Sequence, residues 1–128
     1  MADARYAGFL PGKHAIEGYG AGGFHFGGMS HRGSILALPS GIHAWGAVGA
    51  DDISIESLAP LFAEVQGAIE FLLVGTGMEL VPLKRSLRER LRGAGIRAEP
   101  MPTAAAARTY SVLLAEDRRV AAALIAVP

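Results

Sequence analysis

The tripeptide Gly75-Thr76-Gly77 follows directly after the apolar run Phe71–Val74, and in α/β sheets ligands tend to bind beyond the carboxyl ends of strands. Glycines at such a position expose backbone N–H groups that can hold a phosphate or a carboxylate, with help from the Thr76 hydroxyl. A nearby basic side chain, Lys84 or Arg108, would supply the positive charge. Two interpretations of this loop stay open at the level of sequence: an anion-binding site, or a tight turn that requires glycine for steric reasons.

A second glycine-rich stretch, Gly18–Gly23, superficially matches a dinucleotide-binding fingerprint. A true fingerprint opens a helix whose N-terminus holds the pyrophosphate. Here Phe24-His25-Phe26 follows, an extended segment with both rings on one face and His25 on the other. The stretch therefore predicts a turn or a bulge. The next run, Gly27–Ser34, predicts a tight backbone path that leads into an apolar strand.

The histidines form no pattern typical of a metal site or a catalytic group. No pair has the i, i+4 spacing of a helical zinc motif, and the chain has no cysteine. Ser30 and His31 are adjacent, and neighbours on a strand face opposite ways, so adjacency does not make them a nucleophile–base pair. The sequence predicts no catalytic residue, no metal ligand and no cofactor, and it favours a non-enzymatic protein. The four histidines are His14, His25, His31 and His43.

The charge balance excludes a dedicated nucleic-acid binder. Twelve Lys and Arg residues balance twelve Asp and Glu residues, giving a formal net charge of zero, whereas nucleic-acid binders carry a basic excess. One local basic group lies mostly opposite leucines at helical spacing, which is typical of a solvated helix face. An acidic partner or a phosphate surface is the alternative. The group consists of Lys84, Arg85, Arg88, Arg90, Arg92 and Arg97.

The first half of the chain is rich in strand and turn patterns. Ala15–Tyr19 and Phe24–Phe26 are strand candidates, and residues 34–45 predict a hairpin that turns at Pro39-Ser40-Gly41.

The second half alternates helix and strand. A helix capped by Ser57 or Ser54 would carry Leu58, Leu61, Phe62 and Val65, with Pro60 in its first turn. Another would carry Leu83, Leu87 and Leu91 and end at Gly93 or Gly95. Further predicted elements are the buried strand at Ile69 and Phe71–Val74, a strand over Ile96–Met101, a helix from a Thr103 cap to about Ala115, and a strand over Val120–Val127.

A hairpin followed by α-β-α-β-α-β predicts an α/β fold with a mixed β-sheet and helices packed on it. No linker, repeat or charge block divides the chain, so residues 1–128 are expected to form a single domain. In the last helix, Arg108 and Tyr110 project about 200° apart. Tyr110 is therefore expected to pack, with its hydroxyl at the rim, and Arg108 to be exposed or paired with a carboxylate.

The lack of a recognisable targeting or membrane-spanning segment predicts a soluble, cytoplasmic protein. No segment reaches the roughly 18 apolar residues needed to cross a bilayer. The residues Met1–Arg5 are not followed by the apolar region of a signal peptide, and they lack the character of a mitochondrial transit peptide.

Taken as an ordered set, several stretches resemble the small α/β domain family of unknown biochemical activity that includes the mitochondrial assembly factor 3 of respiratory complex I. The similarity extends from about residue 14 to residue 127. The stretches are Ile16–Gly20, Gly22–Phe26, Gly33–Leu36, Gly41–Trp45, Leu73–Gly77, and Arg108-Thr109-Tyr110 in the helix before Ala122–Ile125.

The resemblance implies a single three-layer α/β domain and a non-enzymatic protein-interaction module. Its implied partners are subunits of the respiratory NADH dehydrogenase during assembly, and the family supplies no catalytic residues to carry over. The chain departs from the family where Asp-Thr-Gly with a later Cys and Asn is usual. It has Pro102-Thr103-Ala104, with Ala107 and Ser111 further on. A nucleophile or ligand role for that Cys or Asn is therefore absent here, which weakens the enzyme interpretation.

The final expectation concerns association. Phe24, Phe26, Ile42 and Trp45 lie in the part of the chain with no predicted helix to cover them. An apolar hairpin face left in water is an aggregation liability. It must either fold back over the core or be buried against a second copy or a protein partner, and we expect a homodimer.

Overall fold

The computed structural model describes residues 6–128, so the prediction about Met1–Arg5 lies outside the described residues. Within residues 6–128 the chain forms nine strands, three α-helices and one 3-10 turn at Ala50–Asp52. The strands are β1 (Phe9–Pro11), β2 (Ile16–Gly20), β3 (Gly23–Phe26), β4 (Met29–Arg32), β5 (Ser34–Leu38), β6 (Gly41–Trp45), β7 (Phe71–Gly75), β8 (Arg97–Met101) and β9 (Val120–Leu124); the helices are α1 (Ala59–Phe62), α2 (Arg85–Gly93) and α3 (Thr103–Ala115).

The larger sheet has six strands in the order β1-β6-β5-β9-β7-β8. Strands β5 and β6 form the predicted antiparallel hairpin, while β7 runs parallel to both β8 and β9. Because β9 is also antiparallel to β5, the sheet is mixed, as predicted. The central strands β7 and β9 are buried almost throughout, which explains their continuous apolar sequences. Pro100 lies in β8, an edge strand, where a missing N–H is tolerated.

The smaller sheet, β2-β3-β4, is a meander of two tight hairpins. Ala21-Gly22 connects β2 to β3, and Gly27-Gly28 connects β3 to β4. All four residues have positive φ, the signature of type I′ turns. The sequence predicts only a tight path over Gly27–Ser34, whereas β4 occupies Met29–Arg32 within it. A four-residue strand that alternates between half-buried and exposed positions gives a weak apolar signal.

One face of the large sheet is covered by α1 and α2. Leu87 and Leu91 lie on α2 and are each 1% exposed, as predicted. Leu83 is buried too, but it lies two residues before the helix begins. The prediction for the preceding helix is wrong: α1 is a single turn, and Val65 is 80% exposed. The side chains of Ser54 and Ser57 bond to each other's backbone N–H groups in the turn before α1 instead of capping a longer helix.

The other face is covered by α3 and by the small sheet. This side of the sheet buries Phe24, Phe26 and Ile42 in one cluster with Tyr110, and none of these side chains is more than 1% exposed. Trp45 is buried in the core on the opposite face, and its indole N–H donates to the carbonyl oxygen of Ser57 at 2.9 Å. These apolar side chains are therefore covered within the chain, which folds back over them, one of the alternatives left open by the sequence. The α/β, three-layer arrangement is as predicted.

Candidate functional site

The predicted loop lies where expected, at the carboxyl end of β7. Gly75 is pressed against the start of α3: a Cβ atom at this position would lie 2.9 Å from both Cα and Oγ1 of Thr103. Since real Cβ atoms essentially never come so close to backbone, residue 75 must be glycine for steric reasons. The tight-turn interpretation accounts for Gly75.

Thr76 and Gly77 use their polar groups inside the protein. The Thr76 hydroxyl donates to the Glu79 carbonyl oxygen at 2.6 Å and accepts the Val81 N–H at 3.0 Å. The backbone N–H of Thr76 donates to the Met101 carbonyl oxygen at 3.0 Å. In this structure the Thr76 hydroxyl and the backbone N–H groups of Thr76 and Gly77 are therefore hydrogen-bonded within the protein.

Thr103 holds this loop against two other elements. Its Oγ1 accepts the Gly77 N–H at 3.0 Å and donates to the Ile125 carbonyl oxygen at 2.7 Å, and its own N–H donates to the Gly77 carbonyl oxygen at 2.8 Å. The prediction of Thr103 as an N-cap is wrong, since Pro102 occupies the N-cap position. The hydroxyl bonds to the neighbouring loop and to the chain after β9 rather than to the helix. We call these four residues, Gly75, Gly77, Thr103 and Ile125, the Thr103 junction.

Lys84 lies near the loop but points its charge elsewhere. Its Nζ donates to the Asp51 carbonyl oxygen at 3.0 Å. Lys84 and Thr76 line one cavity of about 70 Å³, well below the roughly 300–1,000 Å³ of a typical small-molecule site. Nearby, the Val48 and Gly49 N–H groups lower the pKa of Asp52, and the Lys84 charge lowers it further.

Arg108 belongs to a different part of the surface. It is exposed on α3, as predicted, and it lines a groove of about 370 Å³ between α3 and β2. The structure therefore does not place Arg108 and Lys84 around one ligand. We call this cavity the β2–α3 groove; its lining residues are Ile16, Glu17, Gly18, Tyr19, Ala107, Arg108, Ser111, Val112 and Ala115.

One side chain connects the two walls of the β2–α3 groove. Ser111 Oγ accepts the Ile16 N–H at 2.9 Å and lies 3.4 Å from the Ile16 carbonyl oxygen, so it ties α3 to the edge of β2. Tyr19 and Val112 leave 43% and 53% of their surfaces in solvent. Sequence analysis missed this groove because its two walls lie 95 residues apart in the chain.

The loop after Gly77 exposes apolar side chains. Met78, Leu80 and Val81 are 70%, 54% and 38% exposed. Leu83, which follows them, is buried. The chain between β7 and α2 thus presents apolar side chains to solvent at the carboxyl end of the parallel strands.

The histidines confirm one prediction and add an unpredicted pair. Ser30 is exposed while His31 is half-buried against the Tyr6 ring, with centroids 4.9 Å apart, so the two neighbours do face opposite ways. Burial lowers the pKa of His31, against an opposing effect of its backbone hydrogen bond to Ser34. Across the β3–β4 hairpin, Ser30 Oγ lies 2.9 Å from His25 Nδ1. Both side chains are exposed, and this pair lies on open sheet rather than in a water-excluding site.

The basic residues of α2 lie on a solvated face, as predicted. Arg85 pairs with Glu89 at 3.1 Å within the helix, and the Arg90 guanidinium lies 4.2 Å from the centroid of the Phe62 ring. In the described residues no three His, Asp or Glu side chains are grouped closely enough to hold a metal ion. Nor does the described part of the chain contain a helix long and apolar enough to cross a bilayer.

Known proteins similar to this chain share its fold over nearly its whole length. A crystal structure from Bartonella henselae, described as an outer membrane protein, is 47% identical with a TM-score of 0.89, and covers 93% of this chain and 99% of that one. An uncharacterised protein of Rhodobacter capsulatus is 41% identical over 96% of this chain and 90% of its own length.

Other relatives carry a functional name. The Danio rerio protein named NADH dehydrogenase [ubiquinone] 1 alpha subcomplex assembly factor 3 is 37% identical over 113 residues, which are 88% of this chain and 64% of that protein. The chain thus spans less than two thirds of that relative's length. The resemblance proposed from the sequence is confirmed. Residues 16–125 match the family described as "Protein of unknown function (DUF498/DUF598)", and the chain belongs to this family.

Proposed function

We propose that this protein is a non-enzymatic protein-interaction module that acts during assembly of a respiratory NADH dehydrogenase. The observation that supports this function is the name of the Danio rerio relative, assembly factor 3, at 37% identity over 88% of this chain. The partners would be NADH dehydrogenase subunits before they enter the finished enzyme.

The chemistry of the surface is consistent with a binding role. The donors of the Gly75-Thr76-Gly77 loop bond within the protein, and the His25–Ser30 pair lies on open sheet. By contrast, the molecule exposes apolar side chains at several places, among them the loop after Gly77 and the β2–α3 groove. Exposed apolar surface with a polar rim is the usual mark of a protein contact.

The test is a gene deletion in the respiring organism that encodes this chain. We expect the amount of assembled NADH dehydrogenase in membranes, measured on native gels and as NADH oxidation, to fall, and the wild-type gene to restore it. Succinate oxidation in the same membranes is the control. Unchanged NADH dehydrogenase in the deletion strain would refute the proposal.

The alternative function is binding of a small anion at the Gly75-Thr76-Gly77 loop with Lys84 and Arg108. The feature that favours it is the position of Lys84 in the same cavity as Thr76. An anion there would have to displace the hydrogen bonds of the loop, and Arg108 would have to act from the separate groove. Titration with inorganic phosphate, followed by amide chemical shifts of Thr76 and Gly77, tests it: unmoved shifts at millimolar phosphate would exclude the site.

Association and location stay predictions. Because the apolar face of the hairpin is covered within the chain, the original reason for a homodimer no longer applies. Light scattering at micromolar concentration decides, since a particle of 13.3 kDa would exclude the dimer.

We predicted a cytoplasmic protein, whereas the Bartonella henselae relative is described as an outer membrane protein. Fractionation of cells into cytoplasm, inner membrane and outer membrane tests the location. Recovery in the outer membrane would contradict our prediction.

A further inference from the structure

The edge of β2 that faces the β2–α3 groove carries unpaired backbone groups. Gly20 and Gly23 flank a two-residue turn, so this pair exchanges the closing hydrogen bonds of the hairpin. Pairs in an antiparallel ladder alternate, which directs the N–H and C=O of Tyr19 away from β3. Ile16 lies on the same edge, and its N–H is already taken by Ser111 of α3. No hydrogen bond from outside the β2–β3 ladder reaches Tyr19 within residues 6–128.

The wall opposite this edge offers an apolar surface beside a cation. Val112 is 53% exposed, and it lines the groove together with Ala107, Arg108 and Ala115 of α3. Arg108 makes none of the ion pairs found in the described part of the chain. A guanidinium without an internal partner is well suited to a carboxylate, which it binds through two parallel hydrogen bonds.

The one carboxylate in the groove wall does not neutralise this cation. Glu17 lies in the bulge of β2, and its Oε1 accepts the Gly28 N–H at 3.1 Å. That bond draws the carboxylate toward the β3–β4 turn rather than toward α3. The groove therefore combines an open strand edge, an apolar floor and an arginine that makes no ion pair within residues 6–128.

We propose that the β2–α3 groove binds an extended segment of the partner protein. This segment adds a short strand at the Tyr19 edge, packs an apolar side chain on Val112, and pairs a carboxylate with Arg108. The inference rests on the proposed interaction function and assigns it a site. An extended peptide matches the groove better than a small molecule does, because a strand edge is recognised by another backbone.

The experiment uses the deletion strain, complemented with full-length variants. Arg108→Glu and Val112→Asp change exposed side chains in the groove, and Arg108→Lys retains the charge. Val65→Asp is the matched control, since Val65 is 80% exposed and lines a different cavity. Circular dichroism and thermal melts of each purified variant verify folding. A photo-crosslinking amino acid at Val112, with one at Val65 as control, identifies what occupies the groove.

We expect Arg108→Glu and Val112→Asp to fail to restore NADH dehydrogenase, because a repelled carboxylate weakens binding by about tenfold or more. Val65→Asp should restore it fully. Arg108→Lys keeps the charge but loses the two parallel hydrogen bonds, so it should restore the enzyme only in part. The crosslink from Val112 should map to an extended, acidic segment of an NADH dehydrogenase subunit, and position 65 should give none.

Three outcomes overturn the inference. If folded Arg108→Glu and Val112→Asp proteins restore the enzyme fully, the groove is not the site, although the assembly function stands. A crosslink from Val112 to a second copy of this chain, or to lipid, replaces the peptide with another occupant. If deletion itself leaves NADH dehydrogenase unchanged, the proposed function fails and the inference that rests on it fails with it.

Discussion

The Thr103 junction makes a quantitative prediction about stability. Thr103→Val keeps the shape of the side chain and removes only the hydroxyl. Thr103 is fully buried, so the substitution leaves the Gly77 N–H and the Ile125 carbonyl oxygen without the partner that each has now. A net hydrogen bond is worth about 1 kcal/mol, and a buried group left unpaired costs about 1–3 kcal/mol. We therefore expect the free energy of unfolding to fall by about 3 kcal/mol.

The measurement is urea unfolding followed by circular dichroism, together with thermal melts. With 128 residues, a loss of this size lowers the melting temperature by about 10 °C. The control is Thr103→Ser, which keeps the hydroxyl and loses one methyl group, at a cost of about 1 kcal/mol. Amide hydrogen exchange at Gly77 should accelerate in the valine variant alone.

Two results would refute this reasoning. If Thr103→Val unfolds within about 0.5 kcal/mol of the wild type, the two hydrogen bonds contribute nothing beyond what a methyl group supplies. If Thr103→Ser is as destabilised as Thr103→Val, the methyl group contributes as much as the hydroxyl, and the two hydrogen bonds are not the dominant contribution of this side chain.

Three further predictions concern the small sheet and the core. Ala21 is a non-glycine residue with φ of 52° in a type I′ turn, so Ala21→Asn should raise the free energy of unfolding by about 0.5–1 kcal/mol in urea titrations; a loss of stability would contradict this. A Cβ on Gly23 would lie 2.1 Å from the His31 carbonyl oxygen. Gly23→Ala should therefore lower the free energy of unfolding by about 3 kcal/mol in the same assay. A neutral result would mean that β4 can shift to make room for the added methyl group. Burial raises the pKa of Tyr110 to about 12. The stability that the neutral Tyr110 side chain contributes is therefore fully present below pH 10 and is lost as the pH rises toward 12. Tyr110→Phe should flatten this decline in unfolding curves recorded from pH 9 to 12, and an unchanged slope would count against it.

The elements predicted correctly are those whose pattern is local. Strand β7 is a continuous apolar run, and α2 has leucines at every fourth position, so neighbouring residues define both. The prediction for α1 is wrong because its local pattern is too short. Leu58, Leu61 and Phe62 have helical spacing, but Gly67 turns the chain with φ of 83° and Val65 ends in solvent. A helical period over so few residues does not determine where the helix ends.

The candidate site was harder to predict because its residues come together only through the fold. Gly75 was correctly placed at the end of a strand, but the close approach of Thr103 that explains it spans nearly thirty positions and leaves no trace in the local pattern. Lys84 and Arg108 were paired on charge alone. The charge of a side chain does not predict where that side chain lies in the fold. Lys84 donates to the Asp51 carbonyl oxygen, whereas Arg108 lines the β2–α3 groove in the opposite layer of the molecule.

The β2–α3 groove shows which part of such a site a sequence can supply. Helical geometry placed Arg108 and Tyr110 on opposite sides of α3, and the structure agrees, with Arg108 exposed and Tyr110 1% exposed. What the helix cannot specify is the wall facing Arg108. That wall is β2, whose edge is held to α3 by Ser111 over 95 positions. Ser111 occupies the β2 edge at Ile16 and leaves the backbone groups of Tyr19 open, so this contact would confine the proposed partner strand to the Tyr19 end of the groove.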